Sequence, residues 1–167
     1  MENGFEYERA VRSASVMDEL AAALAPLLRP GDIVMLNGDL GAGKTRFVQG
    51  VARALGIRED VTSPTFTILI SYEAPAFPLN HFDLYRLDEP EELDDIGYWD
   101  VLEGGGATFV EWADKFPGEY PEDCLEMHVS VNDGGVRTVR VRARGERGNE
   151  LLAQWAADER AGWNRLA

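Results

Sequence analysis

The sequence predicts an α/β fold of three layers, with a mostly parallel central sheet between helices and a C-terminal β-hairpin. Three observations predict it. The apolar run IVML (33–36) is continuous, as in a strand buried on both faces of a parallel sheet, and leads through a glycine-rich loop into a helical pattern. Two later strand-like runs, LNHFDL (79–84) and ATFVEW (107–112), each carry an acid near their end. Finally, LEMHVSV and VRTVRVRAR flank NDGG (132–135), a hairpin signal.

The elements follow in order. Residues 13–28 place Val16, Leu20, Leu24 and Leu27 or Leu28 at helical spacing, with Ser15 and Asp18 as a capping box. RPGD (29–32) reads as a turn into the buried strand 33–36. After the glycine loop, Phe47, Val48, Val51, Ala52 and Leu55 keep helical period up to Gly56, a C-terminal stop. TFTILISY (65–72) is rich in β-branched and aromatic residues and reads as a strand. In 79–84, alternation puts His81, Asp83 and Tyr85 on one face, with Phe82 and Leu84 on the other. The acidic segment 87–100 reads as a short helix with exposed carboxylates, and Asn149 as the cap of a final helix carrying Leu151, Leu152, Trp155 and Trp163. No repeat, low-complexity tract or linker interrupts the 167 residues, which read as a single domain, 1–167.

Charge narrows the function. Thirty acids against 16 Lys plus Arg give a net charge of -14, which repels phosphate backbones and excludes broad nucleic-acid binding. Any RNA role therefore runs through a partner. The first ten residues, MENGFEYERA, read as neither a secretory nor a transit signal, and no apolar run suits a membrane helix. A single cysteine, Cys124, fits a reducing cytoplasm. Only Lys44 and Lys115 are lysines, against fourteen arginines, so Lys44 within the glycine loop reads as a chemical requirement.

GDLGAGKT (38–45) matches the phosphate-loop pattern GxxxxGK[ST]. Gly38, Asp39, Leu40, Gly41, Ala42 and Gly43 would turn backbone N–H groups around phosphates at the positive end of the next helix. Lys44 would meet the β- and γ-phosphates, and the Thr45 hydroxyl would ligate Mg²⁺. A metal–nucleotide site needs an acid at a neighbouring strand end. Glu111 closes an apolar run and is the favoured one, while Asp83 stands either at the site or in a local ion pair with Arg86. His81 reads equally as a core histidine. TSPTF (62–66) is either a turn or a γ-phosphate sensor. Arg140, Arg142 and Arg144 alternate on one strand face, which reads as solvated or facing an acidic partner in preference to RNA. DDIG (94–97) resembles a GTPase motif but lies in an acidic helical segment and is discounted.

Four segments in fixed order, GDLGAGKT (38–45), VTSPTFTI (61–68), HFDLYRLDEPEELDDIGYWD (81–100) and FVEWADKFP (109–117), resemble the TsaE (YjeE) family of bacterial ATPases. HFDLYRL followed by PEEL is more specific than the phosphate loop, since generic NTPases have no reason to carry it. The resemblance implies a small P-loop NTPase-like fold serving formation of threonylcarbamoyladenosine at position 37 of tRNA. It implies ATP binding and slow, partner-coupled hydrolysis on a TsaD–TsaB complex, with tRNA met only through those partners and a monomer when free. It does not imply the threonylcarbamoyl transfer itself. By position, Lys44 would contact phosphates, Thr45 and Glu111 hold Mg²⁺, and Thr65 serve as the switch hydroxyl. Asp83 would stand near the γ-phosphate, Trp112 would be the aromatic beside the site, and Arg137 would touch the nucleotide. The family often carries Thr where Met17 stands, so no base contact carries over to that helix.

The alternative is a small-molecule or nucleoside kinase with the same loop, but no insertion is long enough for an Arg-bearing lid. A GTPase would need an N/TKxD guanine motif, which the chain does not contain.

Overall fold

The computed structural model describes residues 4–39, 41 and 43–167. One eight-stranded sheet organises them, with β1 (Tyr7–Val11), β2 (Ile33–Gly38), β3 (Leu69–Tyr72), β4 (Leu79–Asp83), β5 (Ala107–Glu111), β6 (Cys124–Val131), β7 (Arg137–Arg144) and β8 (Asn164–Arg165). Their spatial order is β3-β4-β5-β2-β6-β7-β1-β8. The four central strands β4, β5, β2 and β6 run parallel, and both wings are antiparallel. The C-terminal hairpin pairs β6 with β7 from Cys124↔Arg144 to Val131↔Arg137, as the NDGG signal predicts.

Strand alternation sorts the core into two layers. Val34 and Leu36 of β2 and Phe109 of β5 join a cluster with α1 (Ala14–Leu24), α2 (Lys44–Ala54) and α5 (Gly145–Ala157). Ile33, Met35, Phe82 and Val110 point to the opposite face, beneath α3 (Glu91–Asp95) and α4 (Tyr98–Leu102). Trp155 is fully buried in the first layer, against Phe47, with its indole N–H donating to Leu20 O at 3.1 Å. Arg147 at the start of α5 forms a two-pronged pair with the buried Asp32 (2.8 and 2.7 Å), tying that helix to the entry of β2.

Several expectations change. The predicted strand 65–72 begins only at Leu69, because Ile68 adopts φ 70°, a left-handed conformation that a β-branched residue rarely takes. The helix predicted over 13–28 stays α-helical only to Leu24 and tightens into a 3-10 turn at Ala25–Leu27, where Pro26 cannot supply an N–H. Its first turn has no capping box: Asp18 instead accepts from Arg46 of α2 at 3.1 and 2.7 Å. The acidic segment makes two short helices, α3 and α4, separated by Gly97 at φ 69°. Asn149 does not cap α5, which starts four residues earlier; its Nδ2 donates back to Gly145 O at 2.8 Å. Trp163 lies beyond that helix and stacks edge-on against Trp155. The arginine face of β7 is answered within the chain: Arg140 pairs with Glu8, and Arg142 and Arg144 both pair with the buried Glu126.

Candidate active site

The C-terminal ends of adjacent parallel strands form the natural ligand crevice of an open α/β sheet. Here β2 delivers the glycine loop, β5 delivers Glu111 and β4 delivers Asp83. Register sets Asp83 beside Glu111, and both carboxylates are buried. Two neighbouring buried acids create a strong demand for positive charge.

Gly38 is where β2 must leave the sheet while still touching β6. A Cβ there would overlap the Val129 carbonyl, and φ is 133°, so only glycine fits. The next residue is held to the hairpin: Asp39 N donates to Val129 O (3.2 Å), and Asp39 Oδ2 accepts from Val131 N (3.3 Å). Arg137 of β7 donates to Gly41 O at 3.1 Å, so the C-terminal hairpin braces the loop from both strands. Gly43, at φ 113°, turns the chain into α2. Leu40 and Ala42 lie outside the described residues.

Lys44 is buried, with Nζ donating to Gly38 O (2.8 Å) and Asp39 O (3.0 Å) and lying 4.1 Å from the Trp112 ring centroid. Burial pulls its ammonium below the usual lysine range, opposed by the charges of Glu111, Asp114, Asp83 and Asp39. The Thr45 hydroxyl donates to Glu111 Oε2 at 2.9 Å. Thr65 donates to Asp83 Oδ2 at 3.0 Å. Since a hydroxyl has one proton, Ser63, 2.8 Å from Thr65, is the donor of that pair, making a relay Ser63→Thr65→Asp83. Tyr85 N donates to the other Asp83 oxygen at 2.9 Å.

Trp112 follows Glu111 at φ 60°, held in that conformation by Trp112 N donating to Leu36 O (2.9 Å). Two residues on, Asp114 N donates to Asn37 Oδ1 (2.8 Å). Lys44, Thr45, Thr65, Asp83, Glu111 and Trp112 thus border one cavity of about 290 Å³. A smaller recess of about 150 Å³, lined by Val11, Met17 and Arg137 among others, opens on the other side of Gly43. A larger, 840 Å³ groove along 56–62 holds none of these residues.

The threonylcarbamoyl adenosine biosynthesis protein TsaE family matches residues 11–139. The chain belongs to the TsaE family. Among relatives, the tRNA threonylcarbamoyladenosine biosynthesis protein TsaE of Bacillus subtilis is 38% identical over 135 residues, covering 81% of this chain and 84% of the relative. The Treponema pallidum protein of the same name is 39% identical over 130 residues, 78% of this chain and 96% of its own. The crystal structure of Bacillus subtilis YdiB superposes with a TM-score of 0.77 at 30% identity, covering 90% of this chain and 94% of that one. TsaE membership assigns this chain to tRNA threonylcarbamoyladenosine biosynthesis. No helix among the described residues is long and apolar enough to cross a membrane.

In this TsaE chain, the local Asp83–Arg86 ion pair weighed from sequence does not form: Asp83 faces hydroxyls, and Arg86 lies over the exposed Phe66 ring at 5.1 Å. Lys115, readable as incidental, donates to Tyr85 O at 2.6 Å beside the site. Asn37 and Ser63 escaped sequence reasoning. Ser63 had a signal, its place two residues before Thr65. Asn37 had none, because its partners lie more than 70 residues away.

Proposed function

We propose that this TsaE-family chain binds ATP and ADP with Mg²⁺ and hydrolyses ATP slowly, completing its cycle on a TsaD–TsaB complex and meeting tRNA only through those partners. One observation carries the reading: Lys44, Thr45, Glu111, Asp83 and Thr65 converge on a single cavity at the ends of parallel strands. The oxygens of Thr45 and Glu111 are a hard donor pair suited to Mg²⁺, which takes few protein ligands and keeps phosphates and waters for the rest. Mg²⁺ would supply charge neutralisation across the phosphates.

The chain's own groups then divide the work. Lys44, resting on two carbonyls, exchanges them for phosphate oxygens. Thr45 keeps its proton on Glu111 and turns its lone pairs outward. Asp83, held at both carboxylate oxygens by the Thr65 hydroxyl and the Tyr85 N–H, orients the attacking water, and Thr65 links it to the loop that carries Phe66. Arg137 and Trp112 flank the nucleotide from the two recesses that meet at Gly43. An acidic chain of net charge -14 favours docking to protein over RNA.

Titration calorimetry with ADP, with and without Mg²⁺, followed by steady-state ATPase assay of the free protein, tests this. Expected are Mg²⁺-tightened binding and turnover far below the typical kinase range of about 1–100 s⁻¹. Turnover at a kinase rate by the free chain would refute partner dependence.

A further inference from the structure

His81 is completely buried, two residues before Asp83 on the same face of β4. Its Nε2 lies 2.5 Å from Glu111 Oε2, the oxygen that also accepts from Thr45. Since a carboxylate oxygen only accepts, Nε2 carries the proton in this contact. The other ring nitrogen, Nδ1, is buried without a hydrogen-bond partner among the described residues. Burying a polar atom unsatisfied is costly, so a residue serving the core alone would be better replaced by an apolar one. The contact is also geometric: β4 and β5 are parallel with His81 opposite Phe109, which aims the imidazole diagonally at Glu111 two residues on.

We propose that His81 is a positioning residue for the metal side of the site. Its imidazole fixes the Glu111 carboxylate against the Thr45 hydroxyl, so that the two oxygens meet Mg²⁺ already aligned. This rests on the Mg²⁺–nucleotide reading above. Without the imidazole, Glu111 keeps its charge and its Thr45 contact but gains rotational freedom, and Mg²⁺ must pay to order it. Partners behind metal ligands of this kind typically account for about 10–100-fold in metal affinity.

The test is the Mg²⁺ concentration that half-maximally tightens ADP binding, measured by titration calorimetry in wild type, His81→Leu, His81→Asn and His81→Gln. The Gln amide nitrogen can occupy the Nε2 position, whereas the shorter Asn amide reaches only Nδ1. The expected result is a rise of about 10–100-fold in the Mg²⁺ requirement for Leu and Asn, largely rescued in Gln, with Mg²⁺-free ADP affinity unchanged. An unchanged Mg²⁺ requirement in His81→Asn, or equal losses in Asn and Gln, would overturn the inference while leaving the nucleotide reading standing. If His81→Leu does not fold, the Asn and Gln pair decides. A wild-type chain whose ADP binding ignored Mg²⁺ would overturn both.

Discussion

The Thr45 hydroxyl donates to Glu111 Oε2 at 2.9 Å, joining the first turn of α2 to the end of β5 across 66 residues of sequence. That single contact makes the glycine loop and the strand acid one unit. Thr45→Ala is expected to weaken Mg²⁺-dependent ATP binding by about tenfold or more, the scale of one hydrogen bond to a charged group. Glu111→Ala is expected to lower hydrolysis more than nucleotide affinity. Calorimetry paired with an ATPase assay separates the two effects, and wild-type hydrolysis in Glu111→Ala would remove that acid from the metal side.

The relay Ser63→Thr65→Asp83 predicts non-additivity. Asp83→Asn should reduce the ATPase rate by about 10²–10⁴-fold if it orients the water. Thr65→Ala should do part of the same damage, and the double variant should be no worse than Asp83→Asn alone, because the groups act together. Independent multiplication of the two losses would break the relay.

Stability has a separate anchor. Arg147 is the two-pronged partner of Asp32, whose side chain is only 3% exposed. Arg147→Ala strands a buried carboxylate and should cost about 3 kcal/mol, read as a lower urea midpoint at unchanged slope. Breaking an exposed pair such as Arg160–Asp158 should leave the urea midpoint nearly unchanged, because water screens it.

At alkaline pH the sign is also fixed. Burial pushes both the Tyr120 hydroxyl (ordinarily near 10.0) and the Cys124 thiol (ordinarily near 9.0) up to about 12. Groups raised in the folded state stabilise it fully below their unfolded values, and that stability is lost as pH climbs from about 9 towards 12. Urea midpoints should therefore fall across that window. At pH 8 the Cys124 thiol should resist a maleimide until the chain is unfolded.

Much of this was legible in the sequence because the signals are local. The loop 38–45, the helix behind it, the hairpin around NDGG and the alternation in HFDL all lie within short windows. The misses share a cause: they depend on which strands become neighbours. β1 (Tyr7–Val11) hides in a polar, acidic stretch because it is half-exposed, between β7 and the two-residue β8, with Glu8 facing Arg140. The late start of β3 follows from Ile68, whose carbonyl accepts from Asp83 N at 2.8 Å. His81 looked equally like core because its partner, Glu111, becomes visible only once β4 and β5 are known to be parallel neighbours.

The central claim is that nucleotide bound at Lys44 drives the chain's contribution to tRNA threonylcarbamoyladenosine formation. Its most direct measurement is product formed per TsaD–TsaB complex over many turnovers, with wild type or Lys44→Ala added. Sustained turnover with wild type, and arrest near a single round with Lys44→Ala, is the predicted result. Wild-type turnover supported by Lys44→Ala would contradict it.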